Sequence, residues 1–156
     1  MDEHPEETGD QMMRAHAASL PVPVFDEPAF TSPPPIDTAT VAIVTSAALH
    51  RAGDEGFTAG DTTYRPIPHG TTDLVLGHWS PNFDRTGVAL DINVVFPHER
   101  LDELAADGRI GAVAPTHYSF AGNQPDDVAT IRYDTGPAVA QALLDDGVDV
   151  VLLTPV

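Results

Sequence analysis

The chain has 156 residues, the size of one ordinary domain, and carries 24 Asp plus Glu against 7 basic residues, all of them Arg, for a net charge of −17. Such a surface repels phosphate backbones and anionic lipid, so neither nucleic acid nor a membrane is expected as a partner. With no cysteine among these residues, structural disulfides, thiolate zinc sites and a cysteine nucleophile within them are excluded.

The N-terminus, MDEHPEETGDQMMR, is acidic where a secretory signal would be basic and then apolar. No apolar run approaches the ~20 residues of a membrane-spanning helix, so a cytoplasmic location is expected. The surplus of Asp without Lys reads either as biased coding or as adaptation to salt. Residues 1–40 hold seven of the 15 prolines, ending in Pro33-Pro34-Pro35. Because proline fixes φ and removes a donor, this part reads as an acidic extended arm, with its first dozen residues disordered and a short helix between Gln11 and Leu20.

Residues 41–156 read as one α/β domain. Val41 to Val44, Leu74 to Leu76, Ile110 to Ala114 and Val148 to Leu153 are continuous apolar runs, the pattern of parallel strands covered on both faces. A helix is predicted from Pro97 to Gly108, with Leu101, Leu104 and Ala105 inward. Another follows Thr135, with Pro137 in its first turn, Val139, Ala142 and Leu143 inward, and Gly147 as its stop. Strands alternating with helices predict an open, mostly parallel sheet of Rossmann-like or flavodoxin-like type. The last strand lies three residues from Val156, where such a sheet would begin a ligand loop. The expectation is a sheet incomplete at its C-terminus, in a chain cut short.

Polar residues with chemical potential fall in segments that follow the predicted strands: His50; His78 to Gly87; and Thr116 to Phe120. Three histidines after three strands predict a shared site at one sheet edge. His50, His78, His117 and Asp84 would have to converge to bind metal, yet no HxH or HxxxH spacing supports this, and no metal is expected. Ser46, Ser80 and Ser119 lack a nucleophile-elbow context, and no glycine-rich phosphate loop is present. Arg85 reads either as a fork for a substrate carboxylate or as one half of an Asp84–Arg85 pair pinning a loop. Asn82 reads as a turn residue or a ligand contact, and Trp79, Phe83 and Tyr118 as packing.

The segments SPNFDRTG at 80–87 and DINVVFPHERLDELAADGRIGAVAPTHYSFAG at 91–122 resemble the glycine/sarcosine/betaine reductase and D-proline reductase selenoprotein B family. LHRAGDEGFTAGDTTYRPIP at 49–68 is similar as well, so the resemblance covers roughly residues 20–156. It implies an amino-acid reductase subunit that cleaves a C–N bond reductively, with a thiol/disulfide electron donor. It also implies a pyruvoyl group on a separate partner chain that activates the substrate amine, and a selenocysteine nucleophile. In the family that nucleophile follows a strand resembling VDVVLLTPV. The expectation is therefore that selenocysteine comes directly after Val156, its UGA codon read as a stop, and that the 156 residues alone are inactive. Within them the resemblance implies supporting roles for His78, Asp84 and His117, and substrate contacts for Asn82, Arg85 and Tyr118. The implied partners are a small amine or amino-acid substrate and a partner reductase subunit. Other readings are a non-catalytic binding subunit and a metal-dependent hydrolase.

Overall fold

A computed structural model describes residues 8–20, 24, 26, 30–81, 83–124 and 127–156. The chain divides into two units, Met1–Thr31 and Ser32–Val156. In the first, α1 (Gly9–Ser19) begins with a capping box: the Thr8 side chain accepts from Gln11 N, and Gln11 Oε1 accepts from Thr8 N at 2.8 Å. It takes in the predicted 11–20 helix and opens within the segment expected to be disordered; residues 1–7 lie outside the described part.

The second unit is built on β1 (Thr40–Thr45), at the centre of the sheet. After it come β2 (Leu49–Arg51), β3 (Tyr64–Pro68), β4 (Leu74–Leu76), α2 (Arg85–Leu90), α3 (His98–Ala106), β5 (Ala112–Val113), β6 (Thr116–Phe120), α4 (Gly136–Asp145) and β7 (Val150–Thr154). β5 and β6 run in one lane beside β1, parallel to it, and β7 runs parallel on its other side. β3 closes the β6 side as an antiparallel edge. The result is the expected α/β architecture with a mostly parallel open sheet.

Alternation along the strands sorts their side chains to two faces. Val41 and Ile43 of β1 join Leu49, Ile67, Val95, Phe96 and Leu101 in one core, under α2, α3 and the β2–β4 ribbon. Ala42 packs with Tyr118, Val139 and Leu143 in the other, under α4. Gly108 and Gly147, at φ +67 and +70, follow the ends of α3 and α4 where the sequence placed their stops.

Two expectations change. Leu74 to Leu76 is a strand, but it pairs antiparallel with β2 in a separate ribbon. Its three residues are partly exposed, too short and too open for a sheet interior. The third predicted strand shortens to Ala112–Val113, and the polar stretch beyond it forms β6. This displaces His117 from a loop into the sheet, and the reason is chemical. Between Val41↔Val113 and Val44↔Tyr118 the β5–β6 lane carries two more residues than β1. The bulge interrupts the ladder, and the His117 ring fills the gap: Ile43 N donates to His117 Nδ1 at 3.0 Å.

Candidate active site

Open α/β sheets bind ligands at the carboxyl ends of neighbouring strands whose outgoing connections leave toward opposite faces. β1 and β6 meet that description. The chain leaving β1 builds the α2–α3 core, and the chain leaving β6 builds α4 on the other face. Beyond the two strand ends, Ala47 bridges Ala121, and Ala48 N donates to Phe120 O at 2.9 Å.

His78 is seated at this point. A Cβ built on Gly122 would come within 2.3 Å of His78 Nε2 and 2.8 Å of the Ser46 carbonyl oxygen. Only glycine lets the β6 exit approach the ring so closely. The His78 ring is 5% exposed and stacks on Phe83, with centroids 4.2 Å apart and an interplanar angle of 18°. Ser80 N donates to His78 Nδ1 at 3.3 Å, which puts the proton of the neutral ring on Nε2. That Nε2 is buried and has no hydrogen-bond partner. Burial, and secondarily the Arg85 charge, hold the His78 pKa below the ordinary histidine value. At neutral pH the residue is thus an uncharged donor, buried against Gly122 near the ends of β1 and β6.

Arg85 holds the loop that carries this ring. Its Nη2 donates to His78 O at 2.7 Å and its Nη1 to Ser80 O at 3.1 Å. Asp84 acts separately as the N-cap of α2, its side chain accepting from Thr86 N at 2.9 Å and Gly87 N at 3.3 Å. Asn82 lies outside the described residues.

The ends of β1 and β7 are joined by hydroxyls. Thr154 Oγ1 donates to Val95 O at 2.8 Å, and Thr45 Oγ1 lies 3.0 Å from the same carbonyl. Ser46 Oγ accepts from Val156 N at 2.8 Å and lies 3.1 Å from Val156 O. Ser119 is fully buried and accepts from Leu49 N at 2.8 Å.

The three histidines do not share one edge, which corrects the sequence expectation. His50 lies on β2, its Nδ1 2.9 Å from Arg51 O and its ring edge-on to Phe57. His117 lies inside β6, edge-on to Phe96 and His69, and His69 Nε2 contacts Asp102 at 3.1 Å. Burial lowers the His117 pKa to about 4, with His69 and His98 contributing. Tyr118, next to His117 on the strand, faces the opposite core and packs edge-on to Tyr64. Burial raises its phenol pKa. Among the described residues no three His, Cys, Asp or Glu side chains are placed to share a metal ion, and no helix is long and apolar enough to cross a membrane.

His78 and the loop around it stand out in the sequence, whereas Gly122 and the position of Ser46 beside it do not. Gly122 ends the HYSFAG segment, and a glycine leaving a strand toward a histidine loop was the one available signal.

The family model for glycine/sarcosine/betaine reductase selenoprotein B matches residues 12–156. The D-proline reductase subunit gamma of Acetoanaerobium sticklandii is 37% identical over 134 residues, 79% of this chain and 54% of the relative. The glycine reductase complex component B subunit gamma of Carboxydothermus hydrogenoformans is 29% identical over 143 residues, 86% of this chain and 32% of the relative. The chain thus spans about half, or a third, of the length of these curated relatives. No solved structure matches. The chain belongs to the glycine/sarcosine/betaine reductase selenoprotein B family.

Proposed function

We propose that the chain is part of a gamma-type subunit of an amino-acid reductase complex and forms the α/β wall of its active site. The match of the family model to residues 12–156 carries this reading. Its substrate is a small amine or amino acid, and its reaction is reductive cleavage of a C–N bond by two electrons from a dithiol, which becomes a disulfide. The attacking selenolate or thiolate lies outside these 156 residues, which contain no cysteine. A low-pKa selenol supplies an anion at neutral pH without a general base. A pyruvoyl group on a partner subunit would supply the electrophile that holds the substrate amine.

The residues present fit a supporting role. His78 holds a neutral, buried Nε2–H without a partner beside Gly122, near the ends of β1 and β6. An uncharged imidazole of this kind donates a hydrogen bond to a substrate oxygen, a carboxylate in an amino acid, and keeps its own proton. The ring is buried, and a low-dielectric surrounding strengthens such a bond.

The test is to purify the full protein with its partner subunits from its own host, determine selenium, and measure the dithiol-dependent product of C–N cleavage for each substrate: ammonia from glycine, methylamine from sarcosine, trimethylamine from betaine and 5-aminopentanoate from proline. Activity on at least one substrate is expected, with His78→Gln lowering kcat by about 10–100-fold. A complex that reduces none of these amines, and holds neither selenium nor a reactive thiol, would overturn the proposal.

A further inference from the structure

We infer that Arg85 is a positioning residue: its guanidinium closes on the main-chain carbonyls of His78 and Ser80 and so fixes the His78 ring with Nε2–H turned toward Gly122. This rests on the reading of His78 as a group that serves the reaction, and extends it to a residue that never touches substrate.

Among the described residues from His78 to Phe83 none lies in a helix or strand. Within this loop Phe83 N donates to Ser80 O at 3.3 Å, and an irregular segment without a ladder takes its remaining carbonyl partners from outside. Asp84 fixes the start of α2 by accepting from two amides of the first turn. Arg85, the first residue of that helix, is thereby anchored at its backbone and reaches back over seven and five residues to His78 O and Ser80 O. Two donors in one rigid plane fix the spacing and direction of two carbonyls together, which a single ammonium cannot do.

The consequence falls on the ring. With the carbonyls of residues 78 and 80 held, Ser80 N–H is aimed at His78 Nδ1, and the ring lies flat on Phe83. On the other side Gly122 has no side chain to displace it. Three constraints thus select one tautomer and one ring orientation. Arg85 adds a fourth by its charge, which opposes protonation of the ring. A fork already engaged by two carbonyls is poorly suited to bind a substrate carboxylate bidentately, so the geometry favours holding the loop over anchoring substrate.

The test uses the ring nitrogens of His78 as reporters. In ¹⁵N-histidine NMR the native protein should show His78 as the Nε2–H tautomer. Arg85→Gln should mix the two tautomers and move the titration of His78 upward. Arg85→Lys keeps the charge but loses the fork, so it should mix the tautomers with a smaller change in titration; it also carries the test if Arg85→Gln does not fold. In the assembled reductase Arg85→Gln should lower kcat by about 10–100-fold with KM little changed, the effect of a misplaced donor. Unchanged tautomer and titration in both variants would overturn the inference. So would a raised KM with unaltered kcat, the signature of a lost substrate anchor. If the NMR response occurs while His78→Gln leaves turnover intact, the positioning role stands and the catalytic reading of His78 falls.

Discussion

His117 is held in the sheet by a bond that exists only while its ring is neutral. Nδ1 accepts from Ile43 N at 3.0 Å, so a second ring proton would meet that N–H head-on and add a charge inside the core. This accounts for the direction of its pKa, which falls from the ordinary 6.5 to about 4 in the folded chain. Between those values the unfolded chain binds a proton that the folded chain does not, so stability drops as pH falls from about 6.5 to about 4 and this contribution levels off below. At 1.36 kcal/mol per unit the loss is about 3 kcal/mol. Urea unfolding from pH 7.5 to 4 should show it. His117→Asn keeps an acceptor near the Nδ1 position without a group that titrates there, and should be less stable at pH 7 yet lose less stability on acidification. An equal slope in the two proteins would assign the acid sensitivity elsewhere. Polarity at residue 117 looked like chemistry in the sequence because a one-dimensional pattern carries no sign of a bulge two residues long.

Elements were legible where their residues are uniformly apolar, in β1 because it is buried on both faces and in β7 although Val151, Leu152 and Leu153 are exposed. Val41 to Val44 and Val148 to Leu153 announced β1 and β7, and proline and glycine bracketed the two long helices. The strands that escaped notice are those whose polar atoms are satisfied by specific bonds. β6 buries His117 and Ser119 because each accepts from a backbone amide of a neighbouring segment. β3 contains Pro66 and Pro68, which argue against a strand but are tolerated at a sheet edge. α2 is six residues long and buries only Val88, too little periodicity to see. Its existence depends on Asp84, which the sequence offered as a site residue and the structure employs as a cap. Asp84→Ala should cost about 1 kcal/mol in chemical denaturation, and Asp84→Ser, which restores a capping oxygen, should recover most of it. If Ala and Ser variants are equally destabilised, the cap is not what Asp84 contributes.

At the scale of the whole chain, the acidic charge and the apolar edge of the sheet act against each other. Among the described residues β7 pairs with β1 alone, on one side. Its side chains are unusually open for a sheet of this kind: Leu153 is 67% exposed, and Val151 and Leu152 are each 38% exposed. A row of free amides and carbonyls flanked by aliphatic side chains is a template for pairing with another strand. The net charge of −17 opposes such contact between copies, but only over the distance that salt leaves unscreened, about 10 Å at 0.1 M and about 3 Å at 1 M. The 156-residue chain should therefore self-associate increasingly as salt is raised, read as growth of the light-scattering mass with protein concentration. Leu153→Lys should suppress that growth by placing a charge on the edge. Leu90→Lys adds the same charge on α2, at a residue 83% exposed, and should leave the growth in place. Equal suppression by both would make net charge the cause, and a chain that stays monomeric at 1 M salt would show that the β7 edge is protected by its own geometry.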